Sequence, residues 1–184
     1  MPGIPGQALH GVKIKIVNDE IVVAGNNVMQ GYYNKPQDTA EILKNGWLFT
    51  GDLGYLDKKG YLHVTGRKKD IIIVGGKNVY PQDIEALAMT VEGVHPGRVS
   101  AFGVFNEEAG TEEVVVVAEV DTEDPQQLEV IDQGVREAVN RGSAISLRQV
   151  YLVRPHWLIK TSSGKVARLA NRDKYLAEVN GKQG

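Results

Sequence analysis

The chain has 184 residues, 42% of them apolar, enough for one domain or two small ones with a buried core, and this excludes a disordered chain. Lys and Arg total 21 against 23 Asp and Glu, a net charge of -2, so the strong overall positive charge of a dedicated nucleic-acid binder is missing. Zero cysteines exclude a disulfide framework, thiolate metal ligands and cysteine catalysis, and make the cytoplasm the expected location. The aliphatic runs at 71–74 and 114–118 fall far short of the roughly 18 residues that a membrane helix needs, so no span is expected. Residues 1–6 have neither a basic nor an apolar region of a signal peptide and read as a cut inside a loop.

Residues 12–16 alternate at period two, and a second strand-like run, 20–24, follows an Asn18-Asp19 turn, which predicts a hairpin. Tyr55-Leu56 and residues 61–64 flank the polar turn Asp57-Lys58-Lys59-Gly60 and predict another. The charged run Arg67-Lys68-Lys69-Asp70 then breaks the pattern and marks a domain junction. Beyond it come a strand at 71–74, a helix opened by Pro81 with Ile84, Leu87, Ala88 and Val91 on its apolar face and Gly93 at its end, and strands at 99–105 and 114–120. The β-branched run within 114–120 suits a central strand. Asp124-Pro125 opens a second helix with a stripe of Leu128, Ile131, Val135 and Val139, followed by a strand at 150–153 and a terminal helix near 169–179. The fold class is therefore α+β: a small β-subdomain, then a domain with a short β-sheet flanked by helices.

Charge is uneven along the chain. Residues 106–133 hold ten acids and no base, whereas residues 147–176 hold seven Lys and Arg and one acid. Two solvated faces account for this in most proteins. Here the basic segment also contains Lys160-Thr161-Ser162-Ser163-Gly164-Lys165, whose hydroxyls, backbone N–H groups and ammonium groups are the equipment for holding phosphate oxygens, although a plain surface turn has the same composition. It is not a Walker A loop, since Ile159 and Val166 stand where that motif needs Gly and Ser or Thr. Ser162 and Lys165 have the S-x-x-K spacing of penicillin-binding enzymes, but no Ser-Asp-Asn accompanies them.

Asp52 in Thr50-Gly51-Asp52, after a strand end at Leu48-Phe49, offers either an acceptor for paired ribose hydroxyls or an Asx turn. Gly75-Gly76-Lys77-Asn78 offers either close backbone approach to a ligand or an ordinary turn. The four histidines show no metal-ligand spacing, so no metal site is expected.

The order of these motifs carries more than any one of them. Gly31-Tyr32-Tyr33-Asn34-Lys35-Pro36, Gly46-Trp47, Thr50-Gly51-Asp52, Gly66-Arg67-Lys68-Lys69-Asp70, Gly75-Gly76-Lys77-Asn78-Val79-Tyr80-Pro81 and the segment 160–168 resemble the C-terminal portion of the acyl-activating adenylate-forming superfamily. Within it, Tyr80-Pro81-Gln82-Asp83-Ile84-Glu85 and Pro96-Gly97-Arg98-Val99 look most like fatty acyl-AMP ligases, with long-chain acyl-CoA synthetases next.

The resemblance implies a ligase that forms acyl-AMP from a fatty or related carboxylic acid and ATP, with Mg2+ carried by the ATP. The acyl group then passes to coenzyme A or a carrier-protein phosphopantetheine. It implies that Asp52 and Arg67 hold the ribose, that Lys69 is the hinge, that Lys165 is the adenylation lysine and that Gly75 and Gly76 line the pantetheine path. Residues 1–66 would be the last β-subdomain of the large domain, 67–70 the hinge and 71–184 the lid. The phosphate loop and acyl pocket would lie in a missing N-terminal large domain, leaving this chain inactive alone. Ile159 departs from the family's loop, which commonly has Pro there.

The alternative is a non-catalytic module that binds nucleotide or docks a carrier protein. Nucleic-acid binding by the basic segment lacks stacking aromatics beyond Tyr151, Trp157 and Tyr175.

Overall fold

The computed structural model describes residues 6–181. Residues 1–5 of the stretch read as a cut loop lie outside the described residues. The chain divides between Lys69 and Asp70 into two compact units.

In the first unit, β1 (Val12–Val17) and β2 (Glu20–Gly25) form an antiparallel hairpin in which Val17 faces Glu20. Asn18 and Asp19 turn it at φ of 49° and 63°, left-handed values that these two residue types tolerate and that match the twist of a two-residue hairpin. A seven-residue helix, α1 (Pro36–Ile42), is absent from the sequence-based expectation: Pro36 opens it, but it buries no residue, so it has no apolar stripe to read. After the two-residue β3 (Leu43–Lys44), β4 (Trp47–Leu56) runs beside β2, β3 and β5 (Leu62–Arg67), all antiparallel. Among the described residues of this unit, the buried hydrophobics are Ile21 and Val22 of β2 and Leu53 of β4.

The β4–β5 turn is built around Asp57, whose Oδ1 accepts from the Lys59 and Tyr61 N–H groups while Oδ2 lies 3.2 Å from His63 Nε2. The Tyr61 N–H bond is the main reason its carboxyl is held below the ordinary value; desolvation opposes it, and His63 and the Lys59 N–H add to the lowering. A depressed pKa stabilises the folded form above the unfolded value, and that stability is lost as pH falls through the folded one. Acidification is therefore expected to lower the protection of the Lys59 and Tyr61 amides, measured as exchange relative to the intrinsic rate at each pH. Asp57→Asn should flatten that dependence, and an equally steep one in the variant would remove Asp57 as its source.

The second unit is centred on a three-stranded sheet in the order β10–β9–β8, with β9 (Thr111–Val120) in the middle, antiparallel to β8 (Val94–Asn106) and parallel to β10 (Leu147–Val153). Strand alternation sends Val114, Val116, Ala118 and Val120 into one apolar cluster and Val115 and Val117 into another. The first cluster takes in Ile84 and Ala88 of α2 (Pro81–Ala88) and Ile131, Val135 and Val139 of α3 (Pro125–Ser143). The second takes in Tyr175 of α4 (Arg168–Gly181). Covered on both faces, β9 is the continuous β-branched run that a buried central strand requires.

Asp124 caps α3 by accepting from the Gln126 N–H. The helix expected to end at Gly93 ends earlier, at Ala88, because it tightens into i→i−3 bonds, Thr90 N–H to Leu87 O and Val91 N–H to Ala88 O, with the Thr90 hydroxyl also donating to Leu87 O. A separate hairpin, β6 (Ile72–Val74) and β7 (Lys77–Val79), precedes α2. The sequence does not announce β7, because Val79 is its one buried residue.

Candidate active-site residues and family membership

Asp52 does not follow a strand end. β4 continues through it, and the expected tight turn is instead a bulge: Val22 faces Phe49 and Glu20 faces Leu53, so three residues of β4 stand opposite one of β2. Gly51 adopts φ +71° there, a conformation open to glycine, and its N–H donates to Glu20 Oε1 at 3.0 Å. The Thr50 hydroxyl donates to Ile21 O and accepts from the Asp52 N–H. Asp52 faces Arg67 across the β4–β5 ladder, and Arg67 Nε donates to Asp52 Oδ1 at 2.7 Å. The pair is half-exposed, so it adds little to stability, while a carboxylate with about four lone-pair directions has room for further donors. Glu20, which the local pattern does not single out, is buried and also pairs with Lys68 at 3.1 Å, between the bulge and the start of the charged run. Lys69 lies in the 3-10 turn Lys68–Asp70.

Gly75 and Gly76 turn the β6–β7 hairpin at φ of 55° and 78°, and a Cβ at either would meet no atom within 4 Å. The hairpin is tied to the start of β9: the Gly75 N–H donates to Thr111 Oγ1, the Thr111 hydroxyl donates to Ile73 O, and the Ile73 N–H donates to Glu112 Oε2. Sequence reading misses both anchors, since nothing local to Thr111-Glu112 marks a hydrogen bond to residues nearly forty positions earlier.

The loop that carries Lys165 is a tight hydrogen-bonded turn. Lys160 bridges Val166, the Thr161 N–H donates to Lys165 O, the Gly164 N–H donates to Thr161 O, and the Lys165 N–H donates to Thr161 Oγ1. Of the seven Lys and Arg between 147 and 176, five are engaged. Arg148 pairs with Glu113, Arg154 with Glu123, Arg168 with Asp70 and Glu85, and Arg172 with Asp173, while Lys174 donates to Trp157 O. The side chains of Lys160 and Lys165 have no ion-pair partner among the described residues. Tyr151, Trp157 and Tyr175 pack on one another, at 6.0 and 5.3 Å between ring centroids, rather than standing out as a stacking platform.

Arg168, at the start of α4, is a further feature that the sequence does not mark. Nε and one amino group reach both Glu85 oxygens at 2.7 Å, and the other amino group reaches Asp70 at 3.0 Å. Hydrogen bonding to Glu85 is the main cause of a guanidinium pKa above its ordinary value, so this cation stays charged throughout the neutral range.

The chain is similar to known acyl-activating enzymes. A medium-chain-fatty-acid–[acyl-carrier-protein] ligase, JamA, of Moorena producens is 36% identical over 93% of this chain and 32% of its own length. A long-chain-fatty-acid–CoA ligase of Bacillus subtilis is 58% identical over 66 residues, 36% of this chain and 12% of that enzyme. Among solved structures, one of the fatty acyl-adenylate ligases from E. coli and L. pneumophila covers 96% of the chain at TM-score 0.80 and 31% identity, with the chain covering 33% of it. The chain belongs to the acyl-activating adenylate-forming superfamily.

It matches the C-terminal portion of adenylate-forming enzymes and spans about a third or less of the length of these relatives. No protein-family model matches it. Its α+β architecture is that of the C-terminal domain of the superfamily. Among the described residues no group of three or more His, Asp or Glu is placed to hold a metal ion, and no helix is long and apolar enough to cross a membrane.

Proposed function

We propose that the chain is the C-terminal part of an AMP-forming acid–thiol ligase acting on a medium- or long-chain fatty acid. A carboxylate oxygen attacks the α-phosphorus of ATP, the bond to the β-phosphate breaks and pyrophosphate leaves. The sulfur of coenzyme A or of a carrier-protein phosphopantetheine then attacks the acyl carbonyl, losing its proton, and AMP leaves. The observation that carries this reading is the state of Lys165: an ammonium without an ion-pair partner among the described residues, on a hydrogen-bonded turn, in a segment whose other cations except Lys160 are engaged.

A cation held there stabilises the charge that develops on the α-phosphate and the incoming carboxylate. Asp52 has lone pairs to spare for ribose hydroxyls, with Arg67 holding it in place. Gly75 and Gly76 leave the hairpin tip without side chains, which suits the passage of a thin pantetheine arm. The decisive measurement on the full-length enzyme is ATP–pyrophosphate exchange with medium- and long-chain fatty acids. Acid-dependent exchange supports the reading, and its absence with every such acid sinks it.

Lys69 is proposed as the pivot between the two orientations that serve the two half-reactions, since the chain divides immediately after it. Lys69→Pro, which locks φ near −65°, is expected to slow at least one half-reaction in the full-length enzyme. Unchanged rates for both would place the pivot elsewhere.

A further inference from the structure

We propose that Asn171 is a positioning residue for Lys165: one buried side-chain amide ties together both legs of the loop from which the lysine projects. Asn171 sits in the first turns of α4 and is completely buried. Its Oδ1 accepts from the Ile159 N–H at 2.7 Å, and its Nδ2 donates to Ile159 O and to Ala167 O, both at 3.0 Å. Ile159 is the last residue before the loop's first leg and Ala167 the last of its second, and the Ala167 N–H closes the base by donating to Ile159 O at 3.0 Å.

The orientation of this amide is fixed by its surroundings. Turned over, its oxygen would face two carbonyl oxygens and its NH2 would face an N–H, so one arrangement alone satisfies every group.

Burial gives these bonds a leverage that the loop's own bonds lack. Residues 160–165 are exposed, and water competes for the hydrogen bonds among them. The three bonds to Asn171 are part-buried and end on a fully buried amide, so water competes for them less and an unmet partner on Asn171 is costly. The same leg is held from the sheet side, because the neighbouring Leu158 N–H donates to Glu119 Oε1 at 2.7 Å and Glu119 is itself buried in β9. Sheet and helix thus grip successive amides, and of the two gripping side chains Asn171 is the one that also bonds the second leg, at Ala167 O.

A lysine side chain is long and adopts many rotamers, so the placement of its ammonium depends on a backbone that does not drift. Ile159 supplies a backbone N–H at this point, and Asn171 is the group that takes it.

The proposal rests on the reading of Lys165 as the adenylation lysine, and its test keeps the two apart. Asn171→Leu keeps the branching and the number of side-chain heavy atoms and removes all three bonds; in the full-length enzyme it is expected to slow acyl-adenylate formation about tenfold, the equivalent of one net hydrogen bond to a positioned group, and to leave thiol transfer from supplied acyl-adenylate unchanged. In the 184-residue chain the same variant is expected to speed amide exchange at Thr161 and Gly164 but not in β8, β9 or β10.

A merely structural role would slow both half-reactions together, and that result overturns the proposal, as does unchanged adenylation. Lys165→Ala is measured alongside. If it slows adenylation and Asn171→Leu does not, the reading of Lys165 stands and the proposal falls. If Lys165→Ala leaves adenylation intact, the reading falls and the proposal with it. Should Asn171→Leu fail to fold, Asn171→Ala, which leaves room for water, is held to the same outcomes.

Discussion

Lys165→Ala in the full-length enzyme is expected to lower the rate of acyl-adenylate formation about 10²–10³-fold, the ~3–4 kcal/mol typical of removing one preorganised electrostatic contact from a transition state. The ammonium is the one feature of its turn that alanine removes: the hydrogen bonds of residue 165 run through its backbone N–H and C=O, so the loop should survive the substitution. The effect should therefore fall on the rate of the chemical step, with the turn's amide exchange unchanged. Thiol transfer from supplied acyl-adenylate should persist, because that half-reaction is proposed to use the other orientation about Lys69. Equal losses in both half-reactions would show that Lys165 supports the domain rather than the adenylation chemistry.

Arg168→Ala has the largest expected effect on stability, about 3 kcal/mol, the lower end of the range for removing one partner of a buried ion cluster. That is a large fraction of the ~5–15 kcal/mol by which a domain is stable. Glu85 and Asp70 would each keep a largely buried carboxylate without its cation, and Glu85 would still be needed by the Ala101 N–H.

Glu85→Gln added to Arg168→Ala should recover part of the loss, since the amide oxygen still serves Ala101. Denaturant unfolding of the chain measures both effects. A loss below about 1 kcal/mol would mean that the cluster is solvated like a surface pair.

Most of the fold is legible in the chain because its signals are local. The β1–β2 and β4–β5 hairpins follow from alternation and turn residues, α3 from Asp124-Pro125 and a clean apolar stripe, and β9 from a β-branched run that only a strand covered on both faces can use. The same locality explains the misses. α1 and β7 bury too little to leave a pattern, and α2 ends at hydrogen bonds of Thr90 rather than at the first glycine.

The residue types at the candidate positions are likewise set by the sequence: a carboxylate at 52 and a guanidinium at 67 in the first unit, paired glycines at 75 and 76 and an ammonium at 165 in the second. Tertiary structure decides what holds each of them. Glu20 reaches the Gly51 N–H across a bulge, Thr111 and Glu112 pin the glycine hairpin, Glu85 and Asp70 share Arg168, and Asn171 closes the Lys165 loop. Apart from the bond of Asn171 to Ala167, four positions away, these bonds span 12 to 98 positions along the chain. Periodicity and turn chemistry report on neighbours within a few residues, whereas a buried polar group takes its partner from whichever segment the packing brings within about 3 Å.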